Sequence, residues 1–149
     1  MRGVRVGAIL IMILAILGLM EGCSQATGNT TTYTISGSIT GDYFNSSFPI
    51  TLTISNGSKT YTKQVTFPGT GALGQSVAYS VSGVPAGTYT IVASFTWGFI
   101  SGTPTYTVNG GAPVDLTVTN SSTPDLETTA SLTVNADETI NVYIGAYIS

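Results

Sequence analysis

Cys23 is the residue of this 149-residue sequence whose type and place most clearly suggest covalent chemistry. It is the one cysteine of the chain, and it follows closely on an uncharged run, residues 6–20, rich in Ile, Leu and Met. One thiol cannot close a disulfide within the chain, and a free thiol is a hazard in an oxidising compartment. Other chemistry-bearing groups are scarce. The chain has no His, so neither a Ser-His-Asp nor a Cys-His arrangement can be assembled. Without His or a second Cys, zinc lacks its usual ligands. Two carboxylate pairs, Asp125 with Glu127 and Asp137 with Glu138, have the residue types for glycoside hydrolysis or cation binding. Both read as solvated turns, and two carboxylates fall short of the roughly 6–8 oxygens that calcium takes. Gly69, Gly71 and Gly74 lack the Lys-Ser/Thr ending of a phosphate-cradling loop. The expectation is no enzyme, no metal and no cofactor.

Binding chemistry is a better prospect. In Phe95-Thr96-Trp97-Gly98-Phe99-Ile100 a strand is expected to end near Trp97. Phe99 and Ile100 would then stand at a loop tip, able to meet a protein partner or stack on sugar rings. Capping the open end of the domain is the competing reading. Trp97, Phe99, Ile100 and Tyr106 are the candidate ligand contacts. Tyr143 and Tyr147 share the second face of the last strand, either as an exposed aromatic row with Tyr106 or covered by the hairpin before it.

The segment that delivers Cys23 has an ordered design. Arg2 and Arg5 precede the apolar run, and small residues follow it, which is the pattern of a secretory signal. At about 1.5 Å per residue the run is too short for a hydrocarbon core of about 30 Å. The exit, Leu19-Met20-Glu21-Gly22-Cys23-Ser24, resembles the lipobox of bacterial lipoproteins. The resemblance implies a diacylglyceryl group on the Cys23 thiol, fatty acyl chains of the palmitate kind, and cleavage after Gly22. Met20 and Gly22 match the pattern; Glu21 stands where a small residue is usual. Ser24 is not the Asp that commonly retains such proteins at an inner membrane. Two acyl chains anchor a protein stably where one does not. A cut after Ala26, which would release a soluble protein, is the alternative.

Beyond the leader, Lys59 and Lys63 oppose Asp42, Asp115, Asp125, Glu127, Asp137 and Glu138, so two positive and six negative side chains leave −4. Nucleic acid is excluded as a partner, because no cation cluster is there to displace counterions from phosphates. Anionic lipid is excluded as a peripheral support for the same reason. Thr occurs 25 times and Ser 16 times, which predicts strands with a hydroxyl-bearing exterior.

These residues must be placed by β structure. Residues 24–32 read as a flexible tether and residues 33–149 as one domain of period-two segments. Tyr33, Ile35, Gly37 and Ile39 share one face; Ile50, Leu52 and Ile54 alternate with hydroxyls. Asn56-Gly57 marks a hairpin. Tyr61, Val65 and Phe67 follow, with Lys63 on their face as in an edge strand. Val77, Tyr79 and Val81, then Tyr89 to Trp97, Tyr106 with Val108, Val114 to Val118, Leu132 with Val134, and Ile140 to Ile148 complete the set. Residues 120–128 read as a loop. Eight or nine strands, each with one apolar face, predict two packed antiparallel sheets.

Ser36-Gly37-Ser38-Ile39-Thr40 and Val81-Ser82-Gly83-Val84-Pro85-Ala86-Gly87-Thr88-Tyr89-Thr90-Ile91 resemble the carboxypeptidase-regulatory-like group, also called prealbumin- or transthyretin-like. The match covers about sixty residues, 36–95, and thins after Trp97. It implies an all-β, two-sheet, Ig-like sandwich of seven to nine strands, here behind a helical signal peptide (1–22) and a lipidated tether (23–32). In such a motif Pro85 fixes a turn, Gly87 permits the bend and Tyr89 enters the core. The Lys–Asn isopeptide bond of the related Cna B-type domains has no counterpart set here, since the first strand carries no Lys. The combined expectation is a non-catalytic lipoprotein of the cell envelope, facing outside the cytoplasm on the cell membrane or an outer membrane. Its partners would be the membrane through its lipid, and an envelope protein or, alternatively, a glycan. The intact mass of the mature protein is expected to equal residues 23–149 plus acyl groups, and Cys23→Ser to abolish both the mass increment and recovery in the membrane fraction.

Overall fold

A computed structural model describes residues 30–96, 100–119, 125–128 and 131–147, with the backbone alone at 100 and 125–128. Residues 31–149 form one compact unit. The leader, Cys23, Trp97 and Phe99 lie outside the described residues. Eleven strands and no helix occur among those described: β1 (Thr32–Asp42), β2 (Phe48–Ser55), β3 (Thr60–Phe67), β4 (Gln75–Pro85), β5 (Gly87–Phe95), β6 (Ile100–Ser101), β7 (Thr105–Val108), β8 (Val114–Val118), β9 (Asp125–Thr128), β10 (Leu132–Val134) and β11 (Glu138–Tyr147).

The fold is a two-sheet, predominantly antiparallel sandwich. Nine strands follow one path, β3-β2-β5-β9-β8-β7-β11-β1-β4, while β10 flanks β5 and β6 flanks β11. One sheet holds β3, β2, β5 and β9; the other holds β7, β11, β1 and β4; β8 pairs into both through β7 and β9. Residues 125–128, expected in a loop, are thus a strand. Four residues with two carboxylates carry little period-two signal, and neighbours on both sides supply the pairing. The β1–β11 pair is parallel, in register from Ile35↔Glu138 to Thr40↔Tyr143.

Burial follows the alternation. Ile35, Ile39, Ile50, Leu52, Ile54, Phe67, Val84, Ile140 and Ile144 are fully buried. Each isoleucine or leucine removed from water contributes about 1.5–3 kcal/mol. The outer face of the second sheet is mostly uncharged: Ser80–Ser36–Thr139, Ala78–Ser38–Asn141–Thr107 and Ser76–Thr40–Tyr143–Thr105 run across it in register, with Asp42 at the end of β1 and Asp115 opposite Thr105 on β8. Lys63 is exposed on edge strand β3, where an ammonium discourages pairing with another chain.

Two close approaches fix the layers. A Cβ on Gly37 would stand 1.9 Å from the carbonyl oxygen of Ile140. Tyr79, directly opposite Gly37 on β4, donates its hydroxyl to that same carbonyl at 2.7 Å. Its phenol reaches from β4 to β11 past the bare glycine, and burial raises its pKa. Next to it, the Asn141 amide oxygen accepts from both the N–H and the hydroxyl of Ser38, each at 3.0 Å. The second approach is the corner between β4 and β5. These strands lie in different sheets, so residues 85–87 form a crossing rather than a hairpin turn. Tyr89 donates to the Pro85 carbonyl at 3.0 Å, closing the corner four residues back. Gly87 is not the left-handed residue; Gly83 is, at φ 78°. At Gly87 a Cβ would stand 3.2 Å from the Tyr89 ring, a tight contact that a side chain could meet only if the ring gave way by a few tenths of an ångström.

Local turns also depart from the expected forms. The β2–β3 loop spans residues 56–59, with only Gly57 at positive φ. Asn56 instead organises it through its side-chain oxygen. In β11 an extra residue intervenes between Tyr143 and Ala146 opposite β1, with Gly145 at φ 98°. This bulge reverses the side-chain phase, so Tyr147 packs on the core near Phe44 rather than sharing a face with Tyr143.

Gly37→Ala is expected to lower unfolding free energy by about 3 kcal/mol, since the backbone itself must shift. Tyr89→Phe should cost only about 1 kcal/mol, one net hydrogen bond. Urea denaturation of the two variants measures both.

Candidate interaction site

The sandwich has two ends. At the near end β1 begins at Thr32 beside the 85–87 crossing; at the far end β1 finishes at Asp42. Eleven residues of strand at about 3.3 Å each separate them by roughly 36 Å. The far end is closed by two loops, residues 43–47 and 68–74, zipped to each other. Tyr43 N–H donates to Ala72 O at 2.9 Å and Gly71 N–H to Phe44 O at 2.6 Å. Gln75, only 6 % exposed, holds both. Its Nε2 donates to Phe44 O at 3.0 Å and to Ala72 O at 2.9 Å, and its Oε1 accepts from Thr70 N–H at 2.5 Å. A buried amide with its donors and acceptor paired is stabilising where an unpaired one would cost. Asp42 bridges from the sheet: Oδ1 accepts from Gly74 N–H at 2.7 Å and Oδ2 from the Tyr143 hydroxyl at 2.8 Å.

Beneath this cap lies an aromatic cluster. Phe44 stacks at 5.2 Å from Phe48 and 5.5 Å from Phe67, and Phe48 lies 5.7 Å from Phe95. Offset and edge-on rings at these separations add to their area burial. Phe44 is drawn inward, and its neighbour Tyr43 is turned out by a left-handed backbone, φ 60°. A bulky residue in that region costs on the order of 1–2 kcal/mol, and the surrounding bonds hold it there. Tyr43 is 52 % exposed and Leu73, on the facing loop, 67 % exposed. They are the two most exposed large apolar side chains among the described residues.

The expected site residues fare differently. Tyr106 is 4 % exposed, on the inward face of β7 opposite Val142. It is a core residue rather than a surface one, and an exposed row with Tyr143 and Tyr147 does not form. Trp97 and Phe99 lie outside the described residues, as does the side chain of Ile100; the strand ends that flank them, Phe95 and Ser101, are at the far end. Of Asp137 and Glu138, expected as a solvated pair, Asp137 is exposed and Glu138 is not. Asp137 accepts from Thr34 N–H at 2.7 Å, and Glu138, 8 % exposed, has Asn109 Nδ2 at 2.6 Å. Both carboxylates hold β11 to its neighbours. Among the described residues no three His, Cys, Asp or Glu side chains converge.

Tyr43 and Leu73 were not singled out by sequence. A signal for Leu73 existed, as the one large apolar side chain in the glycine-rich stretch 68–75. Nothing local marks Tyr43 against Phe44; only the zipped loops decide which ring points inward. No family model matches the chain, and comparison with curated proteins and with solved structures gives no match.

Burial, then the hydrogen bond to Asp42 and the nearby charges of Asp42 and Tyr43, push the Tyr143 phenol up to about 12. Its unfolded value is about 10. The raised pKa therefore contributes stability that is whole below pH ~10 and is lost as pH climbs through about 12. Tyr143→Phe is expected to flatten that alkaline limb, read from denaturation midpoints across the range and from the phenolate absorbance titration.

Proposed function

We propose that this chain is a non-catalytic lipoprotein of the cell envelope, anchored through acyl chains on Cys23, whose sandwich engages an envelope protein through the Tyr43–Leu73 cap. The anchor rests on the signal-like leader, the apolar exit and the placement of a lone thiol. A carboxypeptidase-regulatory-like module is supported by the Pro85–Tyr89 corner, where the hydroxyl bond back to residue 85 gives the motif a physical role.

The observation that carries the interaction reading is the cap's construction. Two loops are held together by backbone bonds, by Gln75 and by Asp42. They display an aromatic and an aliphatic side chain at the end opposite to where the chain joins β1. A rigid display binds at low ordering cost, because little side-chain and loop freedom remains to be lost. The two side chains at its tip are apolar or aromatic, which favours an apolar pocket on a protein. Tyr is an enriched anchor of such contacts.

A photo-crosslinking residue at position 73 is expected to trap a discrete envelope protein in cells, and one at Lys63 to trap none. Tyr43→Ala with Leu73→Ala should reduce that adduct at least tenfold, about 1.4 kcal/mol, with folding unchanged. Binding on a glycan array that is lost in the same double variant would instead assign the cap to a carbohydrate.

A further inference from the structure

Two Asn-Gly dipeptides sit in exposed turns at the near end, and their side chains are held in opposite ways. At Asn56-Gly57, Asn56 Oδ1 accepts three hydrogen bonds: from Lys59 N–H at 2.8 Å, Ser58 N–H at 3.1 Å and the Ser58 hydroxyl at 3.0 Å. Residues 56–59 are all exposed. Gly57 has no side chain to hinder the turn sterically and no heavy atom within 4 Å of a would-be Cβ, so nothing packs over it on that side. At Asn109-Gly110 the amide is clamped at both ends. Nδ2 donates to Glu138 Oε2 at 2.6 Å, Oδ1 accepts from Thr139 N–H at 2.8 Å, and the Asn109 backbone N–H donates to Thr139 O at 2.7 Å.

We propose that Asn56 is a site of spontaneous self-modification, deamidated by attack of the Gly57 backbone nitrogen on its side-chain amide carbon, whereas the clasp on Glu138 preserves Asn109. The bond from Gly57 N to Asn56 Cγ forms as the nitrogen's proton passes to solvent base. Oδ1 takes up negative charge. The Cγ–Nδ2 bond then breaks, and the nitrogen leaves as ammonia with a proton from water. A second water opens the five-membered imide at either carbonyl, leaving aspartate or isoaspartate. Water is the one co-reactant.

The three donors on Oδ1 stand where that charge develops, and fixed donors at a forming oxyanion lower the barrier to its formation. Asn109 meets the opposite conditions. Loss of ammonia there requires Nδ2 to leave Glu138. The product would set a new carboxylate against the buried Glu138 carboxylate, where like charges repel strongly. The side-chain bond from the β7–β8 turn to Glu138 would be lost.

The full chain, incubated in mildly alkaline buffer and peptide-mapped by mass spectrometry with enzymatic isoaspartate detection, tests this. Native protein is expected to convert at Asn56 alone, gaining one negative charge on ion exchange, and urea-unfolded protein to convert at both sites. Ser58→Ala should slow Asn56 by roughly three- to tenfold, the equivalent of one net hydrogen bond. Glu138→Ala should bring Asn109 into reaction; the native-against-urea comparison stands without that variant should it fold poorly. Native Asn56 unchanged while the unfolded chain reacts, or Asn109 keeping pace with Asn56 in the native state, overturns the proposal. A parent rate in Ser58→Ala overturns the part given to the donors.

Discussion

The carbonyl oxygen of Ile140 is the point about which this sandwich is arranged. It faces Gly37 so closely that no side chain fits between, and it accepts the Tyr79 hydroxyl from two strands away. Three strands, β4, β1 and β11, are thereby held in one layer at a spacing that a Cβ would destroy. The parallel β1–β11 pair joins residues about a hundred apart in sequence. Such a contact must overcome the entropy of closing nearly the whole domain. Asn141 and Asp137 reinforce it where the ladder is interrupted, each accepting from a β1 backbone N–H.

From that layer the two ends of the domain acquire different characters. At the near end the chain crosses between sheets at residues 85–87, and short turns with satisfied side chains dominate. At the far end strands stop short and two longer loops must close over an aromatic core. The closure depends on Gln75, a polar side chain buried with its donors and acceptor engaged, and on Asp42, whose two oxygens tie a loop and Tyr143 to β1. A cap built this way is stiff, so the outward Tyr43 and Leu73 are displayed in a defined arrangement. Beyond Asp42, charge has little part in this. The exterior of the second sheet is mostly an array of hydroxyl and amide groups, with Asp42 and Asp115 at its margin.

The Pro85–Tyr89 corner shows how a short motif can be read for the right element and the wrong reason. Proline, glycine and tyrosine at that spacing do mark the passage into β5. Gly87, though, lies close against the Tyr89 ring and has no left-handed backbone, and the left-handed residue lies four positions earlier at Gly83. Similarly, the period-two reading of β11 holds from Glu138 to Ile144. One bulge at Gly145 then inverts it, which carries Tyr147 into the core.

What the sequence by itself determined is what depends on near neighbours: strands from alternation, the turn at Asn56-Gly57, the hydroxyl exterior, and the edge position of the strand bearing Lys63. Those follow from side-chain period, local backbone preference and composition. Which strands pair, that β1 and β11 run parallel, that residues 125–128 add a strand, that Tyr106 is buried and Glu138 is structural, only the tertiary structure decided. Each of these depends on a partner far along the chain. The same holds for Tyr43 and Phe44: two adjacent aromatic rings, indistinguishable in sequence, are sorted into surface and core by hydrogen bonds from a loop thirty residues away.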